Sequence, residues 1–552
     1  MATSVSSGLV GSEGGTLKRS VGFYGLTFIS LGSIIGSGWL LGALTAAKTA
    51  GPASLLSWVL AAVMLAVLAL IHAELGGAYP ASGGTARFPL YAFGTLAGFT
   101  AGWATWLQAV AIAPIEVEAS LSYLNSVSWI GKNLNMLHTD GTLTPSGIGI
   151  ATFLMLVFTL INVVGVKLLS DSNTVTVIWK TAVPLITVVV LISLRFNGGN
   201  FGAGGGFAPF GAHGIFAALP AGVVFALQGF EQALQVGGEA RNPQKDVSRA
   251  IITAMLIGTA VYILLEVAFI GALDPANLVH GWANPIAKGN FGPYAALAGA
   301  LGAGWLVVVL QFDAFISPAG TGLIYIGTSA RATYAMGRTR ILPKVLGRLT
   351  VRGVPLWSIL LAFVIGEFSF LPFPSWQSLV NIVTSATAIM YAFAPVSLTA
   401  LRMRDPDRPR PYRLPAATVL SPLGFIFANL IIYWGGFDTT MKLLVAIFVG
   451  RVLFEITLAR TNPEDRPDID WRASSWIWPW LAGTLLIGLL GRYGNWGFRN
   501  VLPNWVDLGV VAVFSLIIFY FAISLAMPAE KVLAMVEATK AEEAAAAEDL
   551  AA

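Results

Sequence analysis

The 552-residue chain has no cysteine, only four histidines, and charge on just 11% of its residues. Without cysteine there are no disulfides, no thiolate metal sites and no cysteine nucleophile. The histidines are scattered, and neither an H-E-x-x-H nor a nucleophile motif occurs, so the paired catalytic groups of a membrane-embedded lipid enzyme are missing. The glycine-rich stretch 198–214 follows no strand and carries no Gly-Lys-Ser/Thr, so it reads as an external loop and not a phosphate cradle. An ATP-driven pump is excluded with it. None of these patterns implies a cofactor. A soluble protein carries about 25% charged residues, far more than stands here.

Apolar material fills the space that charge leaves. Hydrophobic residues are 56% of the chain and mean hydropathy is +0.75. They come in about fourteen blocks of roughly 20 residues, the length that spans a ~30 Å hydrocarbon core. The blocks are about 22–48, 52–78, 89–128 (long, bent at Pro114), 146–166, 172–194, 213–238, 248–272, 294–330, 355–372, 376–401, 416–436, 439–459, 474–492 and 505–527. Lys18 and Arg19 precede the first block, but no cleavage-like end follows it, so it is a span and not a removed signal. With the N-terminus inside, most Lys and Arg fall in cytoplasmic segments, including clusters at 331–352 and 402–413. An even number of spans then leaves both termini cytoplasmic, in a multi-pass protein of the inner (plasma) membrane. The net charge of +4 sits in those loops, which points to a lipid bilayer and to no nucleic acid. Trp471, Trp476, Trp478, Trp480, Trp496 and Trp505 flank the last two spans, as an interfacial belt would.

The division expected is a disordered cytoplasmic tail at 1–20, a transport core at 21–414, four additional membrane helices at 415–527, and a cytoplasmic tail at 528–552, helical or frayed. Two spans in corresponding positions carry glycine and polar groups at their middle: Gly32-Ser33-Ile34-Ile35-Gly36-Ser37-Gly38-Trp39, and Phe225-Ala226-Leu227-Gln228-Gly229-Phe230-Glu231. Glycine lets the backbone leave the helix, and in hydrocarbon the freed groups need protein, water or a solute. Paired broken helices are the best pointer to a transporter's central site. Gly32 and Gly36 also make a G-x-x-x-G, which by itself means close helix packing. In the functional reading Gly36 to Trp39 unwind and present amides at a half-helix N-terminus to a carboxylate. Broken helices of this kind argue against a channel.

Several motifs carry a family resemblance. Ile35-Gly36-Ser37-Gly38 with Pro52, Ala73-Glu74-Leu75, and Tyr79-Pro80-Ala81-Ser82-Gly83-Gly84 resemble the amino acid–polyamine–organocation transporter superfamily. So do Gly229-Phe230-Glu231, Gly238-Glu239-Ala240-Arg241-Asn242-Pro243, and Ser329-Ala330-Arg331 through Leu342-Pro343. The resemblance covers about 20–415. It implies an all-α integral membrane protein with an inverted five-plus-five helix repeat, broken helices 1 and 6, and four peripheral helices. It also implies that the amides of Ser37, Gly38 and Trp39, beside Gly36, hold a substrate carboxylate. The carbonyls of Ile34, Phe225, Ala226 and Gln228 then hold its ammonium. Phe225 matches the family's aromatic gate, against the alternative of a lipid-facing ring. Tyr325 falls where relatives place a substrate-contacting aromatic, and the counterpart of Glu231 couples binding to the cytoplasmic gate.

Lys180 stands well inside a span, where an ammonium costs a few kcal/mol and is rare without a role. Snorkelling to the interface is the alternative. The resemblance implies that Lys180 points at the unwound part of helix 1, where sodium-coupled relatives bind their ion. The coupling ion is then the proton, although the hydroxyls of Ser317 and Thr321 keep sodium open. Glu116 and Glu118 are two residues apart, so at most one reaches the centre. Glu266, Asp313 and Glu367 have no partner that the sequence names, and Glu74 pairs with Arg87 or another basic loop. The expected function is import of an amino acid with protons, with exchange or sodium coupling on the same fold as alternatives. The stretch Pro114-Ile115-Glu116-Val117-Glu118-Ala119 and the chain's length resemble the branch containing aspartate–proton symporters. That places acidic amino acids ahead of neutral ones, and cationic ones third.

Overall fold

The computed structural model describes residues 21–549 apart from 81–82, 165, 238–239, 287–291, 339–341, 351–353, 372–374 and 504. The tail 1–20 and the motif residues Ala81, Ser82, Gly238 and Glu239 lie outside the described residues. Among those described, the elements are helical, and β-pairing is limited to two isolated bridges, Val21 with Ala240 and Leu137 with Leu143.

The first helices are α1 (Phe23–Ile34), α2 (Ser37–Ala50), α3 (Ser54–Ala78), α4 (Gly84–Phe93), α5 (Thr95–Ser126), α6 (Ser128–Leu134), α7 (Pro145–Val164) and α8 (Val166–Leu194). Next come α9 (Gly211–Ala218), α10 (Val224–Leu227), α11 (Gln232–Gln235), α12 (Pro243–Ala272), α13 (Pro293–Ala300), α14 (Gly304–Arg338), α15 (Leu356–Ser369) and α16 (Trp376–Arg404). The rest are α17 (Ala417–Trp434), α18 (Phe437–Arg460), α19 (Trp471–Ser474), α20 (Ile477–Leu490), α21 (Val506–Leu525) and α22 (Ala529–Asp549). Ten helical stretches among the described residues are long and apolar enough to cross a membrane. The first apolar block reaches that length only as a pair, because α1 and α2 cover about 20 Å each at 1.5 Å per residue.

Burial separates centre from periphery. The most apolar stretches of α5 and α16 are 83% and 89% buried, whereas that of α21 is 33% buried. The first two are inner pillars. By contrast α21 shows Val513, Ile517 and Tyr520 on an outward face at helical spacing.

The structure corrects some of these expectations and narrows others. The block 89–128 is two helices, broken at Gly94 (φ 84°), while Pro114 lies inside an unbroken α5. Residues 294–330 also divide, with Gly302 at φ 77° between α13 and α14. The tryptophan belt is only partial. Trp476 and Trp480 are fully buried and stack at 5.5 Å, the first edge-on to Phe93 and Phe393, and the second donates to Asn429 Oδ1 at 2.7 Å. Aromatic packing therefore ties α19 and α20 to the core. Glu74 finds the second basic cluster: it pairs with Arg402 and Arg410 and accepts from the Leu414 amide at 2.7 Å. The C-terminal tail is a helix whose Val532 and Val536 are buried, and the Met527 amide donates to Ala92 O at 3.0 Å.

Candidate functional site

The first break is shorter than the sequence suggests. Only Ile35 (φ −90°, ψ 81°) and Gly36 (φ −112°, ψ −141°) leave the helix, and Ser37, Gly38 and Trp39 already form the first turn of α2. First-turn amides have no acceptor within their own helix, and α2 has no acid in that turn to help them. A carboxylate arrives from α5 instead. The Ser37 amide donates to Glu116 Oε2 at 2.8 Å and the Ser37 hydroxyl to Glu116 Oε1 at 3.2 Å. Trp376 Nε1 donates to the same hydroxyl at 3.0 Å. A Cβ on Gly36 would lie 2.8 Å from Glu116 Oε1, so the carboxylate rests on bare backbone. An anion is favoured there by the partial positive charge of the helix start. The Ile34 carbonyl accepts from the Tyr262 hydroxyl at 2.8 Å.

The second break follows a π-helical turn at Leu219–Val223 and the short α10. Gln228 is extended (ψ 162°) and Gly229 sits at φ 113°, a conformation that side-chain-bearing residues avoid. The amide of Gly229 donates to Glu231 Oε2 at 3.0 Å, and the Tyr391 hydroxyl donates to the same oxygen at 2.6 Å. Gln232 Nε2 links Glu231 (3.4 Å) to the Tyr325 hydroxyl (3.3 Å). The side-chain oxygen of Gln228 accepts from Thr387 Oγ1 at 2.9 Å, while its Nε2 is buried without a partner among the described residues. Phe225 is buried and stands edge-on to Trp376 at 5.9 Å, so the lipid-facing alternative falls.

The two breaks touch. A Cβ on Gly38 would lie 2.9 Å from Ala226 Cα, and one on Gly229 would lie 2.8 Å from the carbonyl carbon of Ser33. Only glycine permits this approach.

Lys180 reaches the same place from α8. Its ammonium donates to Gly32 O at 2.7 Å and to Thr321 Oγ1 at 2.6 Å, and the residue is 1% exposed. That burial rules out snorkelling. The Gly32 contact puts the charge within one helical turn of the first break. Asp313 lies about two turns before Thr321 in α14, where it accepts from Ser317 Oγ and Trp179 Nε1, both at 2.7 Å, and from Trp39 Nε1 at 3.1 Å. Glu266 accepts from Ser54 and Trp58, and Glu367 from Thr152. Glu118 is buried with neither oxygen partnered among the described residues.

Ile34, Gly36, Gly38, Phe225, Gln228 and Tyr325 of the sequence-derived set line one cavity, joined by Ser33, Ile112, Glu116 and Thr321. Its volume is about 10 Å³, room for roughly one water. Ser37, Trp39 and Ala226 do not line it: Ser37 binds the lining residue Glu116, Ala226 abuts Gly38, and Trp39 turns to Asp313, while Lys180 touches the cavity through Thr321. Ser33, Ile112 and the seating of Glu116 are new. No sequence signal marks Ile112, whereas Glu116 stood out as an acid at membrane depth.

Known proteins agree with this architecture. The family model described as amino acid permease matches residues 21–453. A glutamate/serine transporter, AimA, of Bacillus subtilis is 36% identical over 511 residues, covering 92% of this chain and 94% of its own. An aspartate-proton symporter of the same organism is 35% identical over 516 residues, 93% of this chain and 97% of its own. The branched-chain amino acid permease BcaP of Bacillus subtilis is 27% identical over 451 residues, 80% of this chain and 93% of its own. With glycine-broken membrane helices that meet at a buried polar point, this chain belongs to the amino acid permease family, and it is an all-helical membrane transporter and not an enzyme.

Proposed function

We propose that the protein imports an amino acid together with protons by alternating access, taking acidic substrates ahead of neutral ones. The observation that carries this reading is the meeting of two helix breaks beside one buried ammonium, that of Lys180. The first turn of α2 (Ser37, Gly38 and Trp39, beside Gly36) receives the substrate carboxylate, and the carbonyls of Ile34, Phe225, Ala226 and Gln228 receive its ammonium. On this reading Gln228 Nε2 and the Tyr325 hydroxyl, both of residues lining the cavity, donate to a side-chain carboxylate. Support for an acidic substrate comes from relatives named as a glutamate/serine transporter and an aspartate-proton symporter. The second name also supports the proton. Lys180 and Glu231 are the coupling residues, Phe225 is the gate, and no cofactor is required.

Residues 21–414 form the transport core and 415–527 four further spans of an inner-membrane protein with both termini cytoplasmic. Uptake of labelled aspartate, glutamate and serine into proteoliposomes tests the reading. Accumulation should follow an imposed pH gradient and ignore sodium. Sodium-dependent, pH-insensitive uptake would overturn the coupling, and arginine or ornithine outcompeting aspartate would overturn the substrate class.

A further inference from the structure

Part of the position expected for the substrate's carboxylate, the Ser37 amide, is already taken by a carboxylate of the protein. Glu116 takes the Ser37 amide and hydroxyl at 2.8 and 3.2 Å, rests against Gly36, and lines the cavity into which a substrate must fit. It comes from α5, 79 residues along the chain, so no local backbone demand holds it there. Glu116 engages the Ser37 amide and rests on Gly36, and a second carboxylate brought to the same helix start meets its charge at contact distance and is repelled. We propose that Glu116 is a built-in competitor for the start of α2 and must give it up before an amino acid can bind.

This rests on the amino-acid reading above and adds a rule for when binding happens. Adding a proton to Glu116 turns an acceptor of two bonds into a neutral acid, weakens its hold on Ser37, and removes the repulsion against an incoming anion. Once the substrate has left, loss of that proton restores the carboxylate to the start of α2. One proton is thus taken up as each anion is admitted. The ionisable groups facing Glu116 from neighbouring helices are Lys180 on α8, Tyr262 on α12 and Tyr325 on α14. Of these only Lys180 attracts its charge, and Lys180 is also under the influence of Asp313. The ammonium therefore offers the displaced side chain a second partner. A dicarboxylic substrate brings the greatest repulsion, so it depends most on the proton.

Calorimetric titration of the purified full-length protein in nanodiscs with L-aspartate and L-serine, at pH 5.5 and 7.5, tests this. The wild type should bind more tightly at pH 5.5, by up to about ten-fold per pH unit where one proton is linked. Aspartate should show the steeper dependence. Glu116→Gln keeps the shape without the charge, and it should bind about ten-fold more tightly than wild type at pH 7.5 with its pH dependence flattened. Glu116→Ala should do the same, and the isosteric variant and the wild-type pH pair stand if the alanine variant does not fold. Unchanged pH dependence in a folded Glu116→Gln protein would overturn the proposal. Loss of binding there would also do so, because it would make Glu116 a substrate contact. If the wild type binds neither amino acid at either pH, the amino-acid reading itself fails, and this inference with it.

Discussion

The two helix breaks lie against each other, yet they are stabilised by different means. At the first, the buried first-turn amide of Ser37 is satisfied by Glu116 from another helix. At the second, the Gly229 amide is satisfied by Glu231, two residues on, with Tyr391 of α16 gripping the same oxygen. A cap borrowed from a distant helix can be exchanged for a ligand without refolding the segment it caps. A cap within the same turn moves with its own backbone and cannot be traded. The first break is therefore suited to binding, and the second to transmitting movement between α10, α11 and α16.

That contrast can be broken by experiment, beginning where the largest effect is expected. Lys180→Ala removes the ammonium from Gly32 O and Thr321, and accumulation driven by a pH gradient should fall to background while the protein stays monodisperse. Accumulation at wild-type levels would remove Lys180 from the coupling. Next comes Gly38→Val, whose side chain meets Ala226 at the crossing of the breaks. Calorimetric binding should weaken at least about 100-fold, a loss of about 3 kcal/mol. Gly229→Val should be equally inactive for a second reason, since φ 113° costs a valine on the order of 1–3 kcal/mol. Retained affinity in either would assign these glycines to packing alone.

Smaller effects separate the two breaks more finely. Tyr391→Phe removes a buried bond to a carboxylate, worth about 1.5–3 kcal/mol. It should lower the maximal transport rate severalfold and leave substrate affinity within about two-fold, because it acts on the second break only. A shift in affinity without a shift in rate would erase the distinction drawn here. The mildest change is Gln228→Ala, which deletes the unpartnered Nε2 and should narrow the preference for aspartate over serine by a few-fold in competition uptake. An unaltered ratio would place the side-chain pocket elsewhere.

Much of this was legible in the amino-acid sequence, and the limits have physical causes. Gly36, Gly38 and Gly229 stood out because glycine and polar groups at the middle of an apolar run have few uses. Lys180 stood out because a charge at membrane depth is costly. Both are local signals. The seating of Glu116 on Ser37 joins residues 79 positions apart, and that of Trp376 on the same hydroxyl joins residues 339 apart. Nothing in a linear pattern reports such pairings. The length of the unwound stretch was overestimated for a related reason: two residues suffice once a distant carboxylate satisfies the next amide. Trp476 and Trp480 misled because spacing near a span's end is the same for a ring facing the interface and for one facing the bundle. The break at Gly94 left a weak trace, because Gly98 and Gly102 follow at helical spacing and a glycine that breaks the helix looks the same as one that packs within it.

The small size of the central cavity bears on the membrane as an electrical insulator. Moving one elementary charge through 100 mV releases about 2.3 kcal/mol, so a continuous thread of water past Lys180, Glu116 and Glu231 would drain the cell's energy store. A space of about 10 Å³ holds no thread. Glu116 against Gly36 and Phe225 against Trp376 fill the volume that such a thread would need. In this conformation the centre offers a charge no open water path, so on the proposed reading ions pass only when a solute opens the way.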